Sequence, residues 1–295
     1  MDRLPNEMRL LIATNLNQQS LMALSRTSKS NHDLLRSKLE GYKLMKALLD
    51  GKDGLSLSLT RQPFIDLSVR HKDLSLLHVA VAQGNQNIAE WLISKYPPFL
   101  GAQDDTGITA LMSAVCWGEM DIVKSLVDKG TCVNIRNHHG RTALHFAAED
   151  GNDPMVKFLL KKGTNPFLAD KDGWSALLLA VREDHISVVA QLVRPGSGIK
   201  EANISGENAL HLGVSNGNMD IVRLLLRNGA ESQADKDGNT PLHRAARQNN
   251  RDIIRLLVLS GADLTVENSQ KETPLQLISQ YHQDHMEDLL GSISS

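Results

Sequence analysis

Thr240-Pro241-Leu242-His243 decides how this 295-residue chain is read, because the same tetrapeptide shape returns along it. It recurs as Ser75-Leu76-Leu77-His78, Thr109-Ala110-Leu111-Met112, Thr142-Ala143-Leu144-His145, Ser175-Ala176-Leu177-Leu178, Asn208-Ala209-Leu210-His211 and Thr273-Pro274-Leu275-Gln276. The first residues fall at 75, 109, 142, 175, 208, 240 and 273, in steps of 34, 33, 33, 33, 32 and 33. A short motif spaced this evenly marks one supersecondary unit repeated along the chain.

Working outward, the other positions keep phase. Nine residues after the anchor stand Gly84, Gly118, Gly151 and Gly217, where a first helix must end and the chain must turn. Apolar residues follow at Ile122, Val123, Leu126 and Val127, at Ile221, Val222, Leu225 and Leu226, and at Ile253, Ile254, Leu257 and Val258. That grouping is the buried face of a second helix. Gly130, Gly163, Gly196, Gly229 and Gly261 then stop it. In the anchor, Thr, Ser or Asn caps the first helix by accepting from an exposed backbone N–H, and proline or alanine suits the first turn. Asp153-Pro154 reads as the same cap-then-proline device on a second helix.

These residues resemble the ankyrin repeat, with its T-P-L-H-x-A signature and 33-residue period, over about residues 69 to 290. The resemblance implies an all-α solenoid of helix–turn–helix units joined by β-hairpin fingers, each burying its apolar face against its neighbours. Residues 75–295 are therefore assigned to the repeats. Glu287 and Gly291 break the apolar phase of the last one, as a polar C-terminal cap requires. Residues 41–74 carry Leu44, Leu48, Leu49, Phe64 and Ile65 without an anchor, and read as a linker or degenerate capping repeat.

Residues 1–40 follow another pattern. Leu4-Pro5-Asn6-Glu7-Met8 leads into Leu11, Ile12 and Leu16 on one helical face; Leu21 and Leu24 begin a second short helix, and Arg26-Thr27-Ser28-Lys29 leads into a third. This L-P-x-E start and L-x-x-L-S-R-T-S-K continuation resemble an F-box, and an F-box before ankyrin repeats resembles a fungal arrangement. The usual aromatic of the second half is absent, with His32 near its place. The resemblance implies that Leu4, Pro5, Met8, Leu11, Leu21 and Leu24 dock a Skp-type adaptor of a cullin ubiquitin ligase. The alternative is a leucine-rich helical cap that closes the first repeat.

Composition excludes several function classes. A formal net charge of −2 gives no electrostatic reason to expect nucleic acid or an anionic membrane as partner. No run approaches the ~18 apolar residues of a membrane span. Two cysteines, Cys116 and Cys132, make no disulfide framework, and MDRLPNEMRL lacks the basic-then-apolar pattern of a secretory signal. The expectation is a monomer of the cytoplasm, the nucleus or both. Aromatics at 4% are sparse for a substrate cleft but ordinary for stacked short helices.

Nothing in the sequence reads as catalytic or cofactor-binding. No phosphate loop or nucleophile elbow occurs. Cys116, Cys132, His138 and His139 fall too far apart in the repeat for tetrahedral zinc. His78, His145, His211 and His243 share one repeat position, which predicts a structural hydrogen bond to the anchor and the finger. Function is expected where the repeats differ. The resemblance places fingers and first-helix ends on a concave face, which assigns partner contact to Ile108, Trp117, His138, His139, Arg141, Asp172, Trp174, Arg182 and Glu183. Trp117, Arg141 and Trp174 have the composition of an interface hot spot. The leading reading is a substrate receptor of an SCF-type ligase, with substrate on that face and adaptor on residues 3–40. A plain ankyrin scaffold or inhibitor is the second. An unconventional enzyme or small-molecule binder is the third, with His138, His139, Asp172 and Glu183 as acid–base groups between the two tryptophans.

Overall fold

The computed structural model describes residues 29–61, 68, 70–71, 74–95, 100–193 and 198–281. They fall into two compact units, Met1–Cys132 and Val133–Ser295. The six residues read as adaptor contacts, Leu4 to Leu24, lie outside the described residues, as does the C-terminal cap around Glu287.

In the first unit, α1 (Lys29–Leu49) and α2 (Asp53–Leu59) precede a short antiparallel hairpin, β1 (Arg70–His71) and β2 (Leu74–Ser75). Helix α1 runs unbroken across residue 40 and buries Leu44, Met45, Ala47 and Leu48. It packs on α3 (Leu76–Ala82), the first helix of the first anchored repeat. Helices α4 (Gln86–Lys95), α5 (Ala110–Cys116) and α6 (Met120–Asp128) complete this unit.

The second unit repeats one pair four times. Its first helices are α7 (Ala143–Glu149), α9 (Ala176–Arg182), α11 (Ala209–Asn216) and α13 (Pro241–Arg247). The second helices are α8 (Asp153–Lys161), α10 (Ile186–Leu192), α12 (Met219–Arg227) and α14 (Arg251–Leu259), and α15 (Pro274–Tyr281) opens a fifth repeat. First helices pack on first helices and second on second, so each repeat buries its apolar face against the next.

The caps follow from the anchors. Side-chain oxygens of Ser75, Thr109, Ser175 and Asn208 accept the backbone N–H three residues on. Thr142 and Thr240 do so within capping boxes completed by His145 and His243. The cap of α8 is Asn152 rather than Asp153; Asn218 and Asn250 cap α12 and α14 in the same way. On the second helices Ile122, Val123, Leu126, Ile221, Val222, Leu225, Ile253, Ile254 and Leu257 are almost wholly buried, each contributing about 2 kcal/mol. Val127 and Leu226, the fourth member of their groups, are only half-buried. The turn after the first helix is left-handed at Gly84, Gly118, Gly151 and Gly217; Asp184 and Asn249 hold it where the glycine is missing.

Position 164 offers a simple stability test. The Thr164 hydroxyl is buried without a hydrogen-bond partner, while the same repeat position holds Ala230 and Ala262 later on. Thr164→Ala removes an unsatisfied hydroxyl and is expected to raise unfolding free energy by about 1 kcal/mol, measured by urea titration. An unchanged midpoint would mean that the hydroxyl is satisfied in solution.

Candidate partner-binding face

Each finger is built by one side chain five residues before its anchor. Oδ1 of Asp104, Asn137, Asp170, Asn203, Asp235 and Asn268 accepts the backbone N–H groups two and four residues on, at 2.8–3.0 Å. These turns fold the finger back on itself. In the second unit neighbouring fingers are joined by Lys171 N–H to His139 O, Ile204 N–H to Asp172 O, Lys236 N–H to Ser205 O and Ser269 N–H to Asp237 O. Left-handed Gly140, Gly173, Gly206 and Gly238 make that approach possible. A Cβ on Gly173 would lie 2.8 Å from Asn203 Cα.

The repeated histidines tie each first helix to the finger that follows. His145 Nε2 donates to Trp174 O at 3.1 Å, His211 Nε2 to Asn239 O at 2.9 Å, and His243 Nε2 to Glu272 O at 3.1 Å. Because a carbonyl only accepts, the proton sits on Nε2 and Nδ1 accepts, from Thr142 N–H in His145 and from Thr240 N–H in His243. Burial holds all three pKa values below that of free imidazole, so the rings stay neutral. In the first unit His78 makes the same bridge from Ser75 to Ile108 O.

On this frame the second unit carries a continuous polar cluster. Arg141 Nε donates to Asp170 Oδ2 at 3.1 Å and its Nη1 to Glu149 Oε2 at 2.8 Å. The other oxygen of Glu149 takes Arg182 Nη2 at 2.6 Å, and Arg182 Nε donates to Glu183 at 2.7 Å. The Arg182 guanidinium lies over the Trp174 ring, 4.8 Å from its centroid, an attraction of about 0.5–1 kcal/mol. Burial works against the Arg182 charge, yet the hydrogen bonds it donates to Glu183 and Glu149 outweigh it and raise its pKa. Beside them burial, and then the charge of Glu149, raise the pKa of Asp150.

Of the residues singled out from the sequence, Arg141, Trp174, Arg182 and Glu183 are thus brought together, through Glu149 and Asp170. His138, His139 and Asp172 stand exposed at finger tips. Ile108 and Trp117 belong to the first unit, where Ile108 is half-buried behind its bridge to His78 and Trp117 is 64% exposed after α5. Arg141 is no free anchor beside tryptophan: its charge is spent on two carboxylates, and Trp174 stacks on Arg182 instead.

Sequence reading missed the finger-building Asp and Asn residues, although their spacing from the anchors was a usable signal. It also missed Arg244, which pairs with Glu207 at 2.8 Å and Asp235 at 2.9 Å in a second cluster of the same kind. Arg244 departs from the apolar Phe146, Leu179 and Leu212 at the same repeat position, which was the visible sign.

Removing Arg141 strands Asp170, whose side chain is 3% exposed. Arg141→Ala is therefore expected to cost about 2–3 kcal/mol. Arg182→Ala, whose carboxylate partners are more exposed, is expected to cost under about 1 kcal/mol. Thermal melts of both variants check the ordering, and equal losses would contradict it.

The fingers, the capping histidines and the paired helices define the class: a protein of stacked helix–turn–helix repeats. Residues 8–137, 133–202 and 178–268 match the family model of ankyrin repeats, and the chain belongs to that family. The crystal structure of the ankyrin repeat domain of Bcl-3, described as a unique member of the IkappaB protein family, superposes with a TM-score of 0.64 at 30% identity, covering 70% of this chain and 95% of that one. A transient receptor potential cation channel subfamily A member 1 homolog of Caenorhabditis elegans is 31% identical over 114 residues, 38% of this chain. The chain spans only 8% of that channel's length. No F-box family matches residues 3–40. Ankyrin repeats make the chain a protein–protein interaction scaffold.

Proposed function

We propose that the chain acts by binding rather than by catalysis, in the cytoplasm or nucleus, and takes a protein partner on the finger side of its repeats. The observation that carries this is the contrast within each finger. A fixed frame of Asx turns, glycines and histidines presents side chains that differ from repeat to repeat, including the stacked pair Trp174 and Arg182. Constant support under variable contact groups is what recognition of one particular partner requires.

The more specific form of this reading is a substrate receptor, with residues 3–40 holding a Skp-type adaptor through Leu4, Pro5, Met8, Leu11, Leu21 and Leu24. Transfer of ubiquitin would then be accelerated by proximity, with the chemistry supplied by a recruited enzyme. Co-purification with a Skp-type adaptor tests it; binding unchanged after Leu4→Ala and Pro5→Ala would sink it.

A scaffold without a ubiquitin role is supported by a specific observation, the start of the ankyrin match at residue 8, inside the F-box-like segment. Deleting residues 1–28, which leaves α1 intact, separates the two. The receptor reading expects adaptor binding to vanish with the melt unchanged, and the scaffold reading expects a lower melting temperature and no adaptor binding at any stage.

A further inference from the structure

Eight arginines of the second unit fall into two groups of four. On the finger side Arg141, Arg182, Arg244 and Arg247 are each committed to carboxylates. On the outer side of the second helices, Arg223 and Arg227 of α12 and Arg251 and Arg255 of α14 are all exposed. Among the described residues these four make no ion pair and no side-chain hydrogen bond. The nearest carboxylates in sequence, Asp220 and Asp252, occupy the first turns of the same helices, where they complement the helix dipole, and neither pairs with an arginine.

Between the two helices runs a cavity of about 270 Å³ lined by Arg223, Arg227, Leu226, Leu256 and Ser260. Leu259, one turn along α14, is 59% exposed. Cation and aliphatic surface therefore alternate along one groove. Four arginines within two helices concentrate positive charge on this face of a chain whose formal net charge is −2.

From this geometry we infer that the groove between α12 and α14 is a second docking surface, which takes an acidic amphipathic segment of a partner protein. Carboxylates of that segment lie against Arg223, Arg227 and Arg255, and an aliphatic side chain enters between Leu226 and Leu256. Both features of the groove enter the choice of partner. A free phosphate or a headgroup uses the guanidinium forks but leaves the leucine floor against water. An aliphatic peptide without acids leaves four cations uncompensated. A helix with glutamate on one edge and leucine on the next satisfies both.

The test uses the full chain and a fluorescein-labelled synthetic peptide of Glu, Ala and Leu, patterned as such a helix. Fluorescence anisotropy should show binding that weakens with added salt. Arg223→Glu with Arg227→Glu should weaken it about tenfold or more, while Arg223→Lys with Arg227→Lys retains most of it. Leu256→Ser, and a peptide with Gln for Leu, should each weaken it severalfold. Trp174→Ala should leave it unchanged, so failure here is separable from failure of the finger-side reading. Binding that survives the double charge reversal would overturn the inference. So would equal affinity for the leucine-free peptide, or capture of phosphatidylserine vesicles in place of the peptide. Self-association of the chain that is abolished by the charge reversal would assign the groove to a second copy and overturn it as well.

Discussion

Acidification from about pH 7.5 to about pH 5.5 is expected to unfold the second unit at markedly lower urea concentration. The cause is the set of bridging histidines. His145, His211 and His243 are 1%, 0% and 0% exposed, and burial lowers their pKa in the folded state. In the unfolded chain they titrate near the ordinary value of about 6.5. The stability from keeping them neutral is fully present above that value and is lost as pH falls from it toward the folded pKa. While the unfolded chain is protonated and the folded one is not, each ring contributes a slope of about 1.4 kcal/mol per pH unit. Three rings acting together give at most about 4 kcal/mol per unit.

The charges around the rings moderate this without reversing it. Asp170 favours protonation of His145 and Arg141 opposes it, while Asp235 and Glu207 face His211 against Arg244. His243 lies among Arg247, Glu272 and Asp235. Carboxylates held below their ordinary range, such as Asp235 and Glu207, act at lower pH and leave this window to the histidines. A His211→Leu variant should flatten the pH dependence by about a third, since Leu178 already fills the equivalent position one repeat earlier. A wild-type urea midpoint that does not move between these pH values would refute the bridging role of the neutral rings.

Glycine in the turn of the finger gives the second large effect. Gly173→Ala is expected to destabilise the second unit by about 3 kcal/mol, from a left-handed residue with a Cβ plus a steric clash. Gly173 has φ +81°, and the added carbon meets the backbone of Asn203 at 2.8 Å and of Ile204 at 3.0 Å. Neither neighbour is a flexible side-chain end, and Ile204 N–H is itself bonded to Asp172 O in the junction between fingers. The last finger supplies the reverse experiment. Lys271 holds the same position at φ +64°, so Lys271→Gly should stabilise by about 1 kcal/mol. Opposite signs from the two substitutions, in thermal melts, are the expected result; a harmless Gly173→Ala would show that the fingers do not approach closely in solution.

The frame of this protein was legible in its sequence because it is periodic. Anchors, helix-ending glycines and the histidine series each repeat, and one physical reason covers every copy. The readable part ended where a residue departs from the period. Trp174 and Arg141 stood out from the period, but which charge each would meet depended on Glu149, Asp170 and Arg182, residues brought together across neighbouring repeats. The left-handed turns at Asp184 and Asn249 were hidden because neither is glycine. A boundary between residues 1–40 and 41–74 was drawn because Leu39 and Leu44 belong to different sequence patterns, and helix α1 runs through both. The unpaired outer arginines were invisible for a further reason: an arginine's partner is a property of the packed helices.

Quantitative capture of interacting proteins by the wild-type chain and by a Trp117→Ala/Trp174→Ala variant tests the central claim most directly. The two substitutions leave the N-capping, turn and histidine residues of the frame in place, and a matching thermal melt confirms the fold. The account predicts that a defined set of proteins is retained by the wild type and lost from the variant. An identical set from both chains, with folding intact, would contradict recognition through the finger face.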